Sequence, residues 1–362
     1  MLITDVVVRS FDLGKLERPY HNAILTTTEK EVTFVEVRTD DGAVGISFAG
    51  PRERETIEGP LRERIVGADP LPAARLWHQM FTGWRKPVVK GDAISAIGSV
   101  DNALWDLRGK IYGQPVSVLL GSFRNRVPCY AAGGYYETDK GTTGLAEEMA
   151  RFVASGYRAV KMKVGGAPLA EDVARVRAAR DAIGPDVSLM VDANNAWGAV
   201  EAIAFGRAVE PYDIAWFEEP CWPDDLRGAA EVCRSLDMAV ASGEIEYTRW
   251  GVRDLLAEKA ADIVQADPHT AGGLTEWVRI AALCSAHHVP VAPHGNHYVG
   301  AHAVAAVDNG MIVESYAGLH AWQDEFFAPM SIVDGELVVP TRPGLGIEVD
   351  FAALERAARS TR

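Results

Sequence analysis

Eight short apolar runs recur at nearly even intervals from residue 128 onward, and each has the length of a buried strand. They begin at Pro128, Arg158, Val187, Ile214, Met238, Asp262, Val289 and Met311. Between them lie stretches rich in Ala, Arg and Glu, such as LAEEMARFVASG, whose apolar residues recur at helical spacing. Short buried strands that alternate with helices predict a parallel sheet with right-handed crossovers. Eight in succession favour a closed α/β barrel of the TIM type over an open sheet.

Ionisable side chains stand at or near the carboxyl ends of seven of these runs. Five runs end in an acid, one in a Lys-Met-Lys triplet and one in a histidine; the residues are Lys161, Lys163, Asp192, Glu218, Glu244, Asp267, His294 and Glu314. In such barrels the carboxyl ends of all strands meet at one mouth, where the reacting groups lie. The pattern therefore predicts metal-assisted acid/base chemistry at that mouth.

The first third of the chain has a different organisation. LITDVVVRSF, VTFVEVRT and AVGISFAG read as strands, with a hairpin turn at Asp41-Gly42, and helices follow, the clearest being DAISAIGSVDNALWDLRGKIYG. Strands followed by helices predict an α+β domain. We place this domain at residues 1–125, the barrel at 126–325 and a tail with a hairpin at 326–362, and we expect the tail to pack on the first domain.

Composition and charge narrow the class of protein. The 362 residues are 48% hydrophobic and 24% charged, which is typical of a globular protein with a large core. A net charge of −14 argues against nucleic acid or an anionic membrane surface as partner. The four cysteines show no CxxC spacing and are expected to be reduced core thiols. No signal peptide or apolar span of about 20 residues is present, so we expect a cytoplasmic protein, and a homo-oligomer, that acts on a small anionic substrate.

Several motifs in this order carry a resemblance to a known family. ALWDLRGKIYGQPVSVLLG (Ala103 to Gly121) is followed by KMK, VDAN, WFEEP, SGE, a strand that ends in Asp267, PHG and VESY. Together they resemble the enolase superfamily, and within it the mandelate racemase group, over nearly the whole chain. The resemblance implies a modified (β/α)7β barrel and a capping domain, or lid, formed by the first 125 residues and the tail.

Three carboxylates are the candidate metal ligands. Asp192, Glu218 and Glu244 end three successive strands, so their side chains can converge. Each alone could be a solvated strand-end acid or a helix cap, but three in register suit octahedral Mg²⁺ better than zinc, which favours His or Cys. The resemblance assigns them the same role. Because side chains alternate along a strand, only one of Glu218 and Glu219 points inward, and the family spacing selects Glu218.

The same alternation places Lys161 and Lys163 on one face, with Met162 on the other. Like-charge repulsion and burial are expected to lower the pKa of both lysines, which suits a base near neutral pH. The resemblance makes Lys163 the base that works with Mg²⁺ and Lys161 its electrostatic partner. The alternative is a pair of surface lysines whose ammonium groups reach solvent.

Asp267 and His294 end consecutive late strands, so the carboxylate is expected to hydrogen-bond the imidazole and fix its tautomer. A histidine is often structural and four others lie between residues 287 and 302, but the order and spacing favour His294 as catalytic. We expect Glu314, in its neutral form, to hydrogen-bond the substrate carboxylate, and Asn194 to contact a hydroxyl or the carboxylate.

A lysine and a His-Asp pair support several reactions at the carbon next to a carboxylate. We favour dehydration of an acid sugar (an aldonate or aldarate) to a 2-keto-3-deoxy acid, because AAGGYYETDKG and KMKVGGAP are similar to sugar-acid dehydratase sequences. Racemisation or epimerisation of a 2-hydroxy acid and cycloisomerisation of a sugar-acid lactone remain alternatives. A binding or sensor protein without turnover is the alternative outside enzymes.

Specificity is expected from the lid. Its loops carry Tyr20, His21 and Arg52, which could close over a polyhydroxylated acid, and further wall candidates are Trp84, Arg85, Lys86, Tyr135 and Trp322. For each of them, packing between domains or a solvated charge is an equal alternative.

Overall fold

A computed structural model describes residues 1–86, 90–316 and 318–360. Its strands are β1 (Ile3–His21), β2 (Thr26–Thr39), β3 (Val44–Phe48), β4 (Arg126–Gly133), β5 (Tyr136–Glu137), β6 (Ala159–Lys163), β7 (Ser188–Asp192), β8 (Ile214–Glu218), β9 (Ala239–Ser242), β10 (Ile263–Val264), β11 (Val313–Ser315), β12 (Ile332–Val333) and β13 (Glu336–Val338).

Thirteen α-helices are found in the described ranges. They are α1 (Arg54–Thr56), α2 (Arg62–Ile65), α3 (Ala73–Phe81), α4 (Asp92–Tyr112), α5 (Val116–Leu120), α6 (Gly141–Ala154), α7 (Leu169–Ile183), α8 (Ala199–Val209), α9 (Leu226–Ser235), α10 (Thr248–Glu258), α11 (Leu274–Ala286), α12 (His297–Ala306) and α13 (Phe351–Ser360). A π-helical turn spans Ile57–Leu61, and 3₁₀ turns span Glu210–Tyr212 and Ala321–Glu325.

The part of the chain up to residue 125, called the capping segment below, is built on an antiparallel sheet. Its strand order is β3-β2-β1-β5, and helix α4 packs against β2 and β3. The hairpin at Asp41-Gly42 is confirmed: the Thr39 amide donates to the Ala43 carbonyl at 3.1 Å, and Gly42 has the positive φ of 86° that this turn requires. Helix α4 ends as the sequence predicts, at Gly113 in the left-handed conformation.

The eight apolar runs form a closed barrel, as predicted. Strands β4 and β6 to β10 pair in parallel, and β11 pairs in parallel with β4, which closes the circle. The run from Val289 contributes only bridges, from Val291 to Val264 and to Gly310. Its short pairing has a local cause, because Pro290 and Pro293 lack the amide hydrogens that a longer ladder needs.

Apolar side chains fill the barrel below its mouth. Tyr130, Met190, Trp216 and Ile312 are buried in one cluster, and the rings of Tyr130 and Trp216 meet edge to face with centroids 5.3 Å apart. The strands are covered on both faces, so β6 is buried at every position. This packing forms a rigid floor beneath the charged residues at the strand ends.

The tail contacts both parts of the molecule. Hairpin β12–β13 pairs with β4, with Leu337 opposite Val127, and so extends the barrel sheet. Helix α13 lies on β1, where the Arg9 guanidinium covers the Phe351 ring at 4.1 Å and pairs with Glu355 at 2.8 Å. The domain bounds and the homo-oligomeric state stay predictions.

Two predictions from the sequence concern the state of the cysteines and the absence of a membrane span. All four cysteines are free thiols; Cys129, Cys221 and Cys284 are buried, and Cys233 is partly buried. Within the described ranges, no helix has both the length and the apolar character needed to cross a bilayer.

Helix α4 of the capping segment clamps the turn that follows β10. Asn102 donates to the Pro268 carbonyl at 3.3 Å and accepts from the Leu274 amide at 2.9 Å, while Asp101 accepts from the Thr275 hydroxyl at 2.8 Å. Gly98 permits this close approach, because a Cβ there would lie 2.0 Å from the His269 carbonyl oxygen. The capping segment therefore packs directly on a turn at the barrel mouth.

We expect Gly98→Ala to destabilise the protein by about 1–3 kcal/mol, because the added methyl meets backbone that must move. Gly144→Ala is the matched control, since it lies in helix α6 and its Cβ would contact only the flexible Lys140 side chain, at 3.1 Å. That substitution should be neutral or stabilising by up to about 1 kcal/mol. Thermal unfolding midpoints measure both, and equal midpoints for the two variants would contradict the clamp.

Candidate active site

Three strand-end carboxylates converge at the barrel mouth. Asp192 ends β7 and Glu218 ends β8, where they pair in register, and Glu244 follows β9 by two residues. One oxygen from each lies within 4.8 Å of the others. Mg²⁺ binds oxygens at about 2.1 Å, so its ligands lie up to about 4.2 Å apart. Because neighbouring ligands of an octahedral Mg²⁺ lie only about 3 Å apart, side-chain rotations that close the oxygen separations by up to about 2 Å would bring all three onto one ion.

The surroundings of the triad also fit a hard cation. Glu244 Oε2 is buried and has no hydrogen-bond donor among the described residues. Glu218 Oε2 is oriented by the Trp216 indole at 2.9 Å and by the Gln265 amide at 2.7 Å. Burial, together with the Asp192 and Glu244 carboxylates, raises the pKa of Glu218 to about 8 against the pull of Lys161. A shared cation would relieve this crowding of negative charge.

Strand β6 brings both lysines to the same buried face, as its alternation predicts. Lys161 donates to Glu218, lies 2.8 Å from Glu314 and is 1% exposed; Lys163 donates to Asp192 and lies 5.0 Å from the centre of the Tyr135 ring. The surface-lysine alternative is therefore wrong.

The predicted lowering of the lysine pKa values is also wrong in this arrangement. Burial lowers the pKa of Lys163, but the Asp192 carboxylate outweighs burial and raises it above its ordinary value. Burial likewise opposes the charge on Lys161, whose pKa the Glu218 and Glu314 carboxylates raise. The two ammonium groups repel each other, but the attraction of each one to its carboxylate partners is stronger than this repulsion.

Asp267 and His294 form the expected pair, with 2.9 Å between Asp267 Oδ2 and His294 Nδ1. The other ring nitrogen, Nε2, lies 3.7 Å from both Glu244 and Glu314. Burial lowers the pKa of His294, but Glu244, Glu314 and Asp267 outweigh it and raise the pKa well above the ordinary value. The pair lies next to the Glu244 end of the triad, whereas Lys163 lies at the Asp192 end.

Glu314 reaches the same mouth but is ionised, which corrects the expectation that it is neutral. Burial raises its pKa, but Lys161 and His294 outweigh burial and lower the pKa to about 2. Its Oε2 also accepts from the Gly295 amide at 3.0 Å. Glu314 therefore bridges the lysine side and the histidine side of the mouth.

Asn194 and Glu219 lie beside the triad. Asn194 has the positive φ of 42°, its amide donates to Asp192 Oδ1 at 2.8 Å, and its side-chain Oδ1 is buried without a partner among the described residues. Glu219 is turned away from the ligand position and accepts from the Asn195 side chain at 2.8 Å. Burial raises its pKa well above the ordinary value.

The lid candidates divide into two groups. Tyr20 is buried, with its ring 4.8 Å from Tyr135 and its hydroxyl 3.3 Å from His320, and His21 stacks on Tyr136. Trp322 lies beside His320, with ring centroids 6.2 Å apart. Tyr20 thus borders the mouth near Lys163, through Tyr135, whereas Trp322 lies nearer to His294, because His320 stacks on Tyr316.

The second group is not brought to the mouth. The Arg52 side chain is 84% exposed and faces Asp92 at 3.9 Å, because the loop points it into solvent. Trp84 donates to the Met80 carbonyl within the capping segment, and Arg85 and Lys86 are exposed. The expectation of substrate contacts from this group is not supported by the arrangement.

Several residues at the site were missed from the sequence. Tyr316 places its hydroxyl 3.1 Å from His294 Nε2, and Gln265 holds Glu218. Both lie two residues from a predicted site residue in the same apolar run of the sequence, Glu314 or Asp267, so alternation extended by one step would have found them. The pair Glu53 and His269, 2.7 Å apart, has no such signal because 216 residues separate its members.

Comparisons with known proteins agree with this geometry. Residues 4–121 match the family model for the mandelate racemase / muconate lactonizing enzyme N-terminal domain, and residues 144–353 match the enolase C-terminal domain-like model. The chain is 36% identical over 337 residues to 3,6-anhydro-alpha-L-galactonate cycloisomerase of Streptomyces coelicolor, a match that covers 91% of each chain. It is 34% identical over 335 residues to arabinonate dehydratase of Saccharolobus solfataricus, with 90% of each chain covered.

The fold agrees equally well with solved structures. A racemase from Streptomyces coelicolor with bound magnesium superimposes with a TM-score of 0.90 at 33% identity, over 98% of this chain and 99% of that one. The named relatives thus include a lyase and isomerases. The chain therefore belongs to the mandelate racemase / muconate lactonizing enzyme family of the enolase superfamily, and it is an enzyme of this family.

Proposed function

We propose that the protein dehydrates an acid sugar, an aldonate or aldarate, to the 2-keto-3-deoxy acid. One observation carries the proposal: Lys163 adjoins one end of the carboxylate triad, at Asp192, and the His294–Asp267 pair adjoins the other end, at Glu244. A base and an acid at opposite ends of one site for a metal ion and a substrate carboxylate are what a β-elimination next to that carboxylate requires. The names of relatives, among them arabinonate dehydratase and L-talarate/galactarate dehydratase, support the acid-sugar class.

Asp192, Glu218 and Glu244 would hold Mg²⁺, which a structural relative contains. Bound there, the ion would stabilise negative charge on the substrate carboxylate. It would also partly neutralise Asp192, whose charge raises the pKa of Lys163, and so lower that pKa. Trp216 and Gln265 keep Glu218 in place for this purpose. Mg²⁺ fits better than zinc because all three ligands are carboxylates.

The protein's own residues would carry the two proton transfers. Lys163 would act in its neutral form, which partial neutralisation of Asp192 by a bound cation would favour. It would remove the proton from C2, and the electron pair of the C–H bond would spread into the carboxylate as an enediolate. Lys161, beside Glu314, offsets the added charge. As the electron pair returns, the C3–O bond breaks, and His294 gives its proton to the leaving hydroxyl to form water. The remaining enol converts to the 2-keto-3-deoxy acid.

A cycloisomerase is the second candidate, favoured by the 36% identity to a 3,6-anhydro-galactonate cycloisomerase. The same two groups would serve if the oxygen that leaves C3 belongs to an ether ring, because His294 would then protonate the ring oxygen and no water would be released. The two reactions therefore differ only in the substrate.

A panel of aldonates, aldarates, their lactones and 3,6-anhydro acids tests the proposal. In D₂O with Mg²⁺, proton NMR follows loss of the C2 proton, and a carbonyl reagent detects the 2-keto product. We expect exchange and keto acid from at least one acid sugar, and loss of both with EDTA. Inversion at C2 without keto acid would instead show a racemase, and binding without exchange would show a sensor.

Lys163→Ala and Asp192→Asn should separate the base from the metal ligand. Loss of the base should slow C2 exchange by about 10²–10⁴-fold. The affinity of Lys163→Ala for Mg²⁺ should match or exceed that of the wild type, because the ammonium group that pairs with Asp192 is removed. Asp192→Asn should weaken metal binding by at least about 10-fold. Calorimetric titration with Mg²⁺ measures both affinities, and equal affinities would refute this division of roles.

His294→Asn should stop formation of the keto acid while C2 exchange, which depends on Lys163, remains measurable. The physical reason is that an amide cannot protonate the leaving oxygen. Both rates come from the same NMR time course. Full dehydration by this variant would remove His294 from the mechanism.

A further inference from the structure

The orientation of Asp267 depends on the turn that follows it. Its Oδ1 accepts hydrogen bonds from the backbone amides of His269, at 2.6 Å, and Thr270, at 3.3 Å. Its Oδ2 accepts from His294 Nδ1 at 2.9 Å. A shift of the turn would therefore move the carboxylate and, with it, the imidazole ring.

The side chain of His269 ties this turn to the capping segment. His269 Nε2 lies 2.7 Å from Glu53 Oε1, and Glu53 is only 3% exposed. Glu53 Oε2 accepts from the Ser99 hydroxyl at 2.7 Å and from the Gly50 amide at 3.0 Å. Both oxygens of this carboxylate are thus engaged, and its donors on the capping side fix its position.

The contact favours the charged form of each side chain. Burial lowers the pKa of His269, but the hydrogen bond that His269 donates to Glu53 and the negative charge of Glu53 outweigh burial and raise the pKa. Burial raises the pKa of Glu53, but His269 and Ser99 outweigh it and lower the pKa. Charge-assisted hydrogen bonds are stronger and more directional than neutral ones, so this pair is suited to hold the turn in one geometry.

We propose that Glu53 is a positioning residue for the His294–Asp267 pair, acting from the capping segment through His269. Rotation of the imidazole would be restrained along the series of contacts from Glu53 to His269, to Asp267 and to His294. The capping segment would then contribute to turnover by orienting the acid, in addition to covering the mouth. This inference deepens the proposed function and rests on it for its kinetic consequence.

The kinetic consequence is specific to one step. Lys163 lies at the opposite end of the triad and has no contact with this series, so proton removal at C2 should be little affected by Glu53. Protonation of the leaving oxygen needs His294 in the correct orientation, so it should be slowed. A general loss of folding would instead slow both steps together.

Glu53→Gln is the direct test, because it keeps the shape of the side chain and removes its charge. Keto-acid formation should fall by about 10- to 100-fold in kcat, as for partners that orient a functional residue, with KM and C2 exchange nearly unchanged. His269→Asn keeps the backbone amides of the turn and should have the same effect. The double variant should be no worse than either single one, since both break the same connection.

Glu36→Gln is the matched control. Glu36 is a buried acid of the capping sheet, bonded to Arg9 at 3.0 Å and to Arg38, and it has no contact with the turn. Its replacement should lower the thermal midpoint without changing the ratio of keto-acid formation to C2 exchange. If Glu53→Gln leaves that ratio at the wild-type value, or changes it no more than Glu36→Gln does, the inference is overturned.

A spectroscopic measurement decides the inference without any substrate. The proton on His294 Nδ1, hydrogen-bonded to Asp267, should give a downfield NMR signal, assigned by its loss in His294→Asn. This signal should shift or broaden in Glu53→Gln and His269→Asn and stay in place in Glu36→Gln. An unchanged signal in Glu53→Gln overturns the positioning role. If wild-type protein converts no acid of the panel, the proposed function fails while this measurement still decides the inference.

Discussion

Compensation of buried charge at the barrel mouth is the constraint on which the rest of the structure depends. Lys161 and Lys163 are buried beside Asp192, Glu218 and Glu314, and none of these side chains is more than 4% exposed. Removing such charges from water costs several kcal/mol for each, so every one must meet an opposite charge or a hydrogen-bond partner. The parallel barrel meets this demand because it delivers the ends of adjacent strands to one edge.

The balance of charges at the mouth also indicates what the site can bind. Negative groups outnumber the ammonium groups around Glu218 and Glu244, which leaves Glu244 Oε2 without a donor among the described residues. The site is therefore suited to receive a cation and an anionic substrate together. In the proposed reaction, Lys163 on one side and His294 on the other would face the same bound molecule, which is the arrangement that an elimination next to a carboxylate needs.

The capping segment contributes structure to the mouth as well as cover. Its helix α4 bonds the turn after β10, and Glu53 bonds His269 within that turn. These contacts join residues that are far apart in the chain. By the inference drawn above, they would make the orientation of His294 dependent on a part of the molecule that carries neither the carboxylate triad nor Lys163.

The sequence by itself determined the barrel, the positions of its eight apolar runs and many of the charged side chains that meet at the mouth. Strand alternation alone placed Lys161 and Lys163 on one face, and the ends of the runs placed Asp192, Glu218 and Asp267, because these rules act over a few residues. Tertiary structure decided the charge states: the carboxylates raise the lysine pKa values and Lys161 keeps Glu314 ionised.

Only the tertiary structure could also show that Arg52 points into solvent and that Glu53 reaches His269. The physical reason is the same in each case. Electrostatic energy and hydrogen bonding depend on distances between side chains. For residues far apart in the chain, such as Glu53 and His269 at a separation of 216 positions, those distances are set by how the capping segment packs on the barrel, which no local pattern in the chain encodes.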